Sequence, residues 1–387
     1  MNATPARPPA ASRHGRLTLD LVRDDAGFFA LEPFWDILVD QMAIRTPFVR
    51  WDWMRLWWEE CGAGARLVLA VLRDAHGIPQ AIAPLMLARE GDGARRHLVT
   101  LAFLGGFGSA HGERLDFIVP AGREDELTPR LCEAFALLRD ECDLVRLNFL
   151  PQDSASTPHI FAALEGAFAR AGVLNRHPSR VISLPSSWEE IEARHGANWR
   201  GNLRRSCRQF AEKHSGTTSQ AGVSMPFDAA FNAFRHLHLE NFPAGESTFA
   251  TPVATRFHNR LAAEWLPAGR AILPLLASGG KMTAAAYGFI ERGEFYLYQM
   301  GWDHSFARLS PGRMALRWSV VTAIGLGLDT YDMLAGDYAY KRQWSDSTRW
   351  LLDLEAHNPG SLRATLFNTL RVVRRGFGKF IPEGRAA

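Results

Sequence analysis

Two stretches of the chain repeat one rhythm, and that repeat constrains the fold more than any other feature of the sequence. RLVLAVLRDAHGIPQAIAPLMLARE (66–90) and RAILPLLASGGKMTAAAYGFIERGEFYLYQMGWD (270–303) each read as an apolar β-run, a turn containing glycine and a second β-run. The turns, DAHG from 74 and SGGK from 278, lie 204 residues apart in a chain of 387. Apolar stretches with helical spacing precede each copy, so the pattern predicts two related α/β halves. Hairpins also recur in unrelated sheets, and the repeat alone leaves that reading open.

Helical periodicity is expected over 33–60, 127–140 and 160–171, with a strand at 143–149, and again over 188–213, 227–240 and 311–326, with a strand at 329–334 and a short helix after 337. Alternating strands and helices predict an α/β (α+β) fold with a mixed, helix-flanked sheet in each half. The join is expected near RHPSRVISLPSS, giving domains at 17–178 and 179–360, after a disordered Pro/Ala/Arg-rich tail at 1–16 and before a basic segment at 361–387. Apolar residues at 47% and charged residues at 22% exclude disordered and coiled-coil classes, and a net charge of +3 argues against nucleic-acid binding by the whole surface. The tail lacks a signal-type apolar run, no run reaches the ~20 residues that span a bilayer, and four scattered cysteines fit neither a zinc site nor a disulfide framework. A cytoplasmic protein without a metal is expected, in peripheral contact with a membrane at most.

The densest candidate site runs from 294 to 344. Ser310-Pro311-Gly312 opens an amphipathic helix, with Ser310 as N-cap and Pro311 in the first helical position. Such a start presents free N–H groups that suit a phosphate, Gly312 permits close approach, and Arg308 and Arg313 flank it. The next strand brings Asp332 and Asp337 near Tyr338, Tyr340, Lys341 and Trp344, where α/β sheets place ligands. For Asp337 a helix cap and for Lys341 a solvated face are equally open readings.

Ser310-Pro311-Gly312, Tyr331-Asp332, Gly336-Asp337, Tyr340-Lys341 and Trp344 together resemble the C-terminal signature of the tandem GNAT-fold acyltransferases of the Fem/CelD-like class. That class includes cellulose-biosynthesis CelD-like proteins and peptidoglycan Fem aminoacyltransferases. Weaker likeness at 188–213, 236–242 and 84–106 extends the resemblance over roughly 33–350. It implies two GNAT-like domains, the first facing the acceptor and the second the donor. It also implies transfer of an acyl group, acetyl-CoA or another acyl-CoA being the expected co-substrate, to an amine on a small molecule, a glycan or a lipid of envelope biosynthesis. Under it Arg308, Ser310, Gly312, Arg313 and Met314 hold the donor, Asp337 is the base, Tyr340 protonates the leaving thiolate, and Lys341 is an electrostatic partner. A charged tRNA as donor, or a GNAT-like subunit without catalysis, are the other readings.

Three further features carry expectations. At about 100° per residue, Arg200, Arg204, Arg205 and Arg208 form a cationic stripe opposite Trp199, Leu203 and Phe210, with Arg204 and Arg205 as contacts for an anionic acceptor; a solvated face is the plainer reading. The same arithmetic sets His236 and His238 on different faces, so they do not chelate. His111 and Asp116, around a Gly-rich turn, are candidate acceptor contacts, with an ordinary hairpin as the alternative. A helix over 362–375 aligns Leu362, Leu366, Leu370 and Val373, with arginines outside that stripe; it docks on the body or attaches to an anionic membrane.

Overall fold

In a computed structural model, residues 17–89, 97–108, 110–242 and 247–369 are described, and the expected tail at 1–16 lies outside them. The first half runs β1 (Thr18–Val22), α1 (Asp25–Phe29), α2 (Glu32–Val39), α3 (Trp51–Cys61), β2 (Arg66–Leu67), β3 (Leu69–Arg73), β4 (Pro79–Ala83), β5 (Leu85–Arg89), β6 (Val99–Phe103), α4 (Glu124–Leu138), β7 (Leu144–Pro151), α5 (Ser156–Ala167) and β8 (Ala169–Ser183). The second runs α6 (Trp188–Ala193), α7 (Ala197–His214), β9 (Gly216–Gln220), α8 (Phe227–Asn241), α9 (Pro252–Trp265), β10 (Ala271–Ile272), β11 (Pro274–Ser278), β12 (Lys281–Glu291), β13 (Glu294–Trp302), α10 (Pro311–Gly325), β14 (Thr330–Ala335), α11 (Ala339–Trp344) and β15 (Ser347–His357). A last helix covers 362–369.

The repeated rhythm is one supersecondary unit occurring twice. In the first copy the hairpin arms break at Val68 and at Pro84, and in the second copy one arm breaks at Leu273. Proline has no N–H for the ladder, so the break at Pro84 lets β4 leave with β1 and β3 as a separate three-stranded sheet. After the hairpin both copies continue as strand, helix, parallel strand, helix, strand. The parallel pairs are short: β6 and β7 pair at Thr100–Leu101 with Leu144–Val145, and β13 and β14 from Glu294↔Thr330 to Tyr296↔Asp332. Beyond those registers the strands part.

Twelve described strands make the large sheet, with β2, β5, β6, β7, β15, β8, β14, β13, β12, β11 and β9 in spatial order and β10 beside β12. The last described strand, β15, therefore lies between β7 and β8 of the first half, antiparallel to both. The expected join at 178/179 falls inside β8, which pairs with β15 and also with β14.

One aromatic core crosses the halves: the Trp53 ring of α3 lies 5.0 Å from Phe257 of α9 and 5.6 Å from Phe289 of β12. A buried ion pair crosses it as well. Arg50, which precedes α3, donates through Nε to Glu291 at the end of β12 at 2.9 Å, through Nη2 to the other Glu291 oxygen, and through Nη2 to Asp40 at 2.8 Å. Gly301 is required where α8 rests on β13, because a Cβ there would stand 2.7 Å from the backbone nitrogen of His238.

Candidate active site

Where β13 and β14 part, the sheet opens into a cleft of about 730 Å³, lined by Leu297, Tyr298, Gln299, Met300 and Trp302 on one side and by Met333, Leu334 and Ala335 on the other. The divergence is built into β14. Leu334 sits in the left-handed region (φ 56°), its N–H donating to its near neighbour Asp332 Oδ1 at 2.8 Å, and the pairing with β8 shifts register there. The first copy repeats the device: Phe149 of β7 also has φ 56° and donates to Asp353 at 3.1 Å. On the open edge of β13, His238 Nδ1 donates to the Met300 carbonyl at 2.8 Å and Asn241 to the Trp302 carbonyl at 2.5 Å. Burial lowers the His238 ring to about 4 and keeps it neutral.

The start of α10 forms one end of the cleft. Ser310 precedes it in the left-handed conformation (φ 53°) and makes no side-chain cap bond, so it turns the chain rather than capping through its hydroxyl. Gly312 lines the cleft, and a Cβ there would only touch the Trp302 ring at 3.4 Å. Arg313 lies beside it, its guanidinium 5.4 Å from the Trp199 ring, with Nε and Nη2 buried and lacking any hydrogen-bond partner. Buried guanidinium donors left open call for an anion. Arg308 is exposed, and Met314 is buried in the second core cluster with Leu316 and Val320.

The three residues after β14 have different surroundings. Lys341 is buried and donates to the carbonyls of Met333 at 2.6 Å, Leu334 at 3.1 Å and Ala335 at 2.7 Å, which accounts for all three ammonium protons. Burial lowers its pKa to about 8 against the raising effect of Glu113 and Asp332. Tyr340 lines the cleft, stacks on Tyr338 at 6.0 Å, and has its hydroxyl pushed up to about 12 by burial and by Tyr338. Asp337 is half exposed and bridges Arg180 at 2.7 Å and Arg342 at 2.9 Å, and bonds to those arginines hold its carboxyl below the ordinary range. A general base profits from the opposite displacement.

The cleft contains a carboxylate that the sequence analysis did not select. Glu113 enters from the first half and accepts the Ala335 N–H at 2.7 Å; burial raises its pKa, against the lowering effect of His111, that N–H and Lys341. Its neighbour Arg114 is buried in the left-handed conformation (φ 53°), with Nη1 3.9 Å from Asp332. His111 stacks on Phe149 (5.1 Å, 8°), and its carbonyl accepts the Tyr298 hydroxyl at 3.1 Å. His177 packs on the same Phe149 ring at 5.0 Å and holds Asp353 at 2.8 Å, a bond that raises its pKa. Asp116 is buried in the first half away from the cleft lining; it accepts the Phe117 N–H at 2.7 Å, and burial pushes it up to about 7. Arg204 and Arg205 point to solvent from α7, paired with Glu192 at 2.5 Å and Asn202 at 2.7 Å, outside the cleft lining. In the sequence Glu113-Arg114 shows only as a charged pair between a Gly-rich turn and the apolar run LDFIV, which does not by itself place Glu113 in the cleft.

Among the described residues, no helix is long and apolar enough to cross a membrane, and no group of three or more His, Cys, Asp or Glu side chains is placed to hold a metal ion.

Residues 197–342 match the Acetyltransferase (GNAT) domain family. No curated protein matches the chain by sequence. Among solved structures, a crystal structure of FemX matches 87% of this chain and 98% of its own at 11% identity, with a TM-score of 0.58. The C-terminal domain (DUF2156) of a putative lysylphosphatidylglycerol synthetase from Agrobacterium fabrum matches 89% of this chain and 96% of its own at 13% identity (TM-score 0.52). A conserved protein of unknown function from Bacteroides thetaiotaomicron matches 84% and 97% at 11% identity (TM-score 0.52). At these identities the likeness is one of fold. The second half carries a GNAT acetyltransferase domain, the expected mixed α/β architecture is present, and the chain is an N-acyltransferase.

Proposed function

We propose that the protein moves an acyl group from acyl-CoA to an amine in the cleft between β13 and β14, with the donor held by the second half and the proton of the acceptor taken by Glu113 of the first. The observation that carries this is Glu113 itself: a partly buried carboxylate with a raised pKa, lining the same cleft as Gly312 and Arg313 at the start of α10. A carboxyl whose pKa is raised is a better acceptor for the proton of an ammonium than an ordinary one.

The donor brings an acyl carbon activated as a thioester. The open guanidinium donors of Arg313 and the N–H of Gly312 suit its phosphates, and Arg308 and Ser310 lie at the same end. The corresponding helix of the first half, α4, opens with Glu124, Asp125 and Glu126, which repel an anion, whereas the first turn of α10 carries no acid. That contrast favours the second half as the donor side. Along β13, α8 occupies the carbonyls of Met300 and Trp302, so the edge offers the developing oxyanion N–H rather than C=O. Tyr340 stays protonated at neutral pH and is the acid for the leaving thiolate. Lys341 sets the path of β14 through its three carbonyls, and Asp337 holds Arg180 and Arg342 instead of serving as base.

The acceptor is an amine of a glycan, a lipid or a small molecule of the kind that CelD-like and Fem-like proteins would modify. Thiol release is the direct test. With acetyl-CoA and a panel of amino sugars, amino acids and lipid amines, Glu113→Gln should lower kcat/KM by roughly 10²–10⁴-fold and abolish the acid limb of the pH profile. Unchanged turnover would remove Glu113 as base. Absence of CoA binding by calorimetry, alongside binding of charged tRNA that weakens with salt, would replace the donor.

A further inference from the structure

The amide that joins Leu334 to Ala335 is held at both ends by ionisable side chains from different halves of the protein. Its carbonyl, on Leu334, accepts a hydrogen bond from the Lys341 ammonium of α11 at 3.1 Å, and its N–H, on Ala335, donates to the Glu113 carboxylate at 2.7 Å. A trans amide points its C=O and N–H in opposite directions, so cation and carboxylate stand on either side of the end of β14. The other two protons of Lys341 go to the carbonyls of Met333 at 2.6 Å and Ala335 at 2.7 Å, and among the described residues no carboxylate pairs with it directly, although it is buried.

A buried cation requires a compensating charge. Two acids act on Lys341, Glu113 and Asp332, and Asp332 is already engaged: Arg349 reaches it at 3.1 Å and Arg114 stands 3.9 Å away. The titratable groups that face Glu113 are His111 of its own loop, Lys341 of α11, Asp332 of β14, Tyr298 of β13 and His177 of β8. Tyr298 keeps its proton and donates it to the His111 carbonyl, His111 Nδ1 bonds the Gly108 carbonyl at 2.9 Å, and His177 is held by Asp353 at 2.8 Å. Lys341 is thus the cation left to balance Glu113, and the connection runs through one peptide unit. An ammonium on the carbonyl polarises the amide and strengthens its N–H as a donor, and a stronger donor favours the ionised carboxylate. We propose that Lys341 is a positioning residue for Glu113, holding the carboxylate ionised and in place through the Leu334–Ala335 amide. Its bearing on the reaction rests on Glu113 being the base; the coupling itself belongs to the resting protein.

Carbon NMR titration of the Glu113 carboxyl in the full chain, assigned with Glu113→Gln, reads the coupling without turnover. In Lys341→Met the midpoint should rise by about one pH unit, the effect of losing one neighbouring opposite charge. The coupling is reciprocal, so in Glu113→Gln the Lys341 ammonium, followed at its Cε, should titrate lower by a similar amount. That second shift decides the matter should Lys341→Met fail to fold. With acetyl-CoA and an amine that gives turnover, the acid limb of kcat/KM should move up in Lys341→Met together with the Glu113 midpoint, whereas a merely structural lysine would lower the rate at every pH and leave the limb in place. Midpoints that stay put in the variants overturn the proposal, and so does an acid limb that ignores the Glu113 midpoint. Unchanged turnover in Glu113→Gln overturns the base reading instead, and with it the role of Lys341 in the reaction, while shifted midpoints would still establish the coupling.

Discussion

Replacing Arg50 with methionine tests whether the two halves are one structure or two. The Arg50 side chain is 11% exposed and the Glu291 side chain 7%, so the carboxylate has little access to solvent should its partner go. Burial works against the charge on Arg50, yet its bonds to Glu291 and Asp40 more than offset that and hold its pKa above the usual value. Removing one member of such a pair strands the other, at a cost of about 3–5 kcal/mol. A chain of 387 residues unfolding as a unit has an entropy of about 0.8 kcal/mol per kelvin at 2.1 cal/mol/K per residue, so Tm should fall by roughly 4–6 °C. Glu291→Gln should cost less, about 1–3 kcal/mol, because Arg50 keeps Asp40 at 2.8 Å and Asp36 at 3.8 Å. The double variant Arg50→Met/Glu291→Leu should be more stable than Arg50→Met alone, since no unpaired charge remains. Scanning calorimetry with urea unfolding measures all three. A loss below about 1 kcal/mol for Arg50→Met, or two separate transitions of which one moves, would refute the reasoning.

The remaining expectations concern single side chains. Asp337→Asn should leave turnover per folded molecule within about threefold of the parent, against the 10²–10⁴-fold fall of a lost base, and steady-state thiol release decides it. Lys341 has a pKa of about 8 folded against 10.5 unfolded, so between those values the unfolded chain alone holds the proton and stability rises with pH. Urea titrations should show that rise, about 3 kcal/mol, in the parent and not in Lys341→Met. His238 runs the same way at lower pH, from 6.5 unfolded to about 4 folded: stability falls as acid is added through that window, by about 3 kcal/mol from this ring, and His238→Gln should remove its share.

The features legible in the sequence are those encoded by neighbouring residues. The hairpins announce themselves through β-runs around glycine turns, and the start of α10 through Ser-Pro-Gly, so both fall close to their expected places. The expected helix over 188–213 divides into α6 and α7 around Gly196, and that over 33–60 into α2 and α3. Helix α9 went unread although Val253, Phe257, Leu261 and Trp265 recur every four residues behind Thr251, whose hydroxyl accepts the Ala254 N–H. What escapes the sequence is long-range. Asp337 stands just past a buried strand, as expected, but its environment depends on Arg180, brought there by β8. Glu113 reaches the cleft because a loop of one half bonds to the strand end of the other across 222 positions, which no local window contains.

The position of β15 bears on how the chain is made. Its neighbours β8 and β7 leave the ribosome roughly 170 and roughly 200 residues before it does. At about 5–20 residues per second, their facing edges wait on the order of ten to thirty seconds for the strand that joins them. During that interval the nascent first half carries two long strands with unpaired hydrogen-bonding groups, open to one another in the wrong register or to another chain. A fragment that ends before Ser347 would keep those edges indefinitely, so a shortened product should aggregate even though it contains every residue of the first hairpin and its helices. Chaperone demand should accordingly peak late in synthesis, and a stop codon near the end should harm solubility more than one expects from the few residues removed.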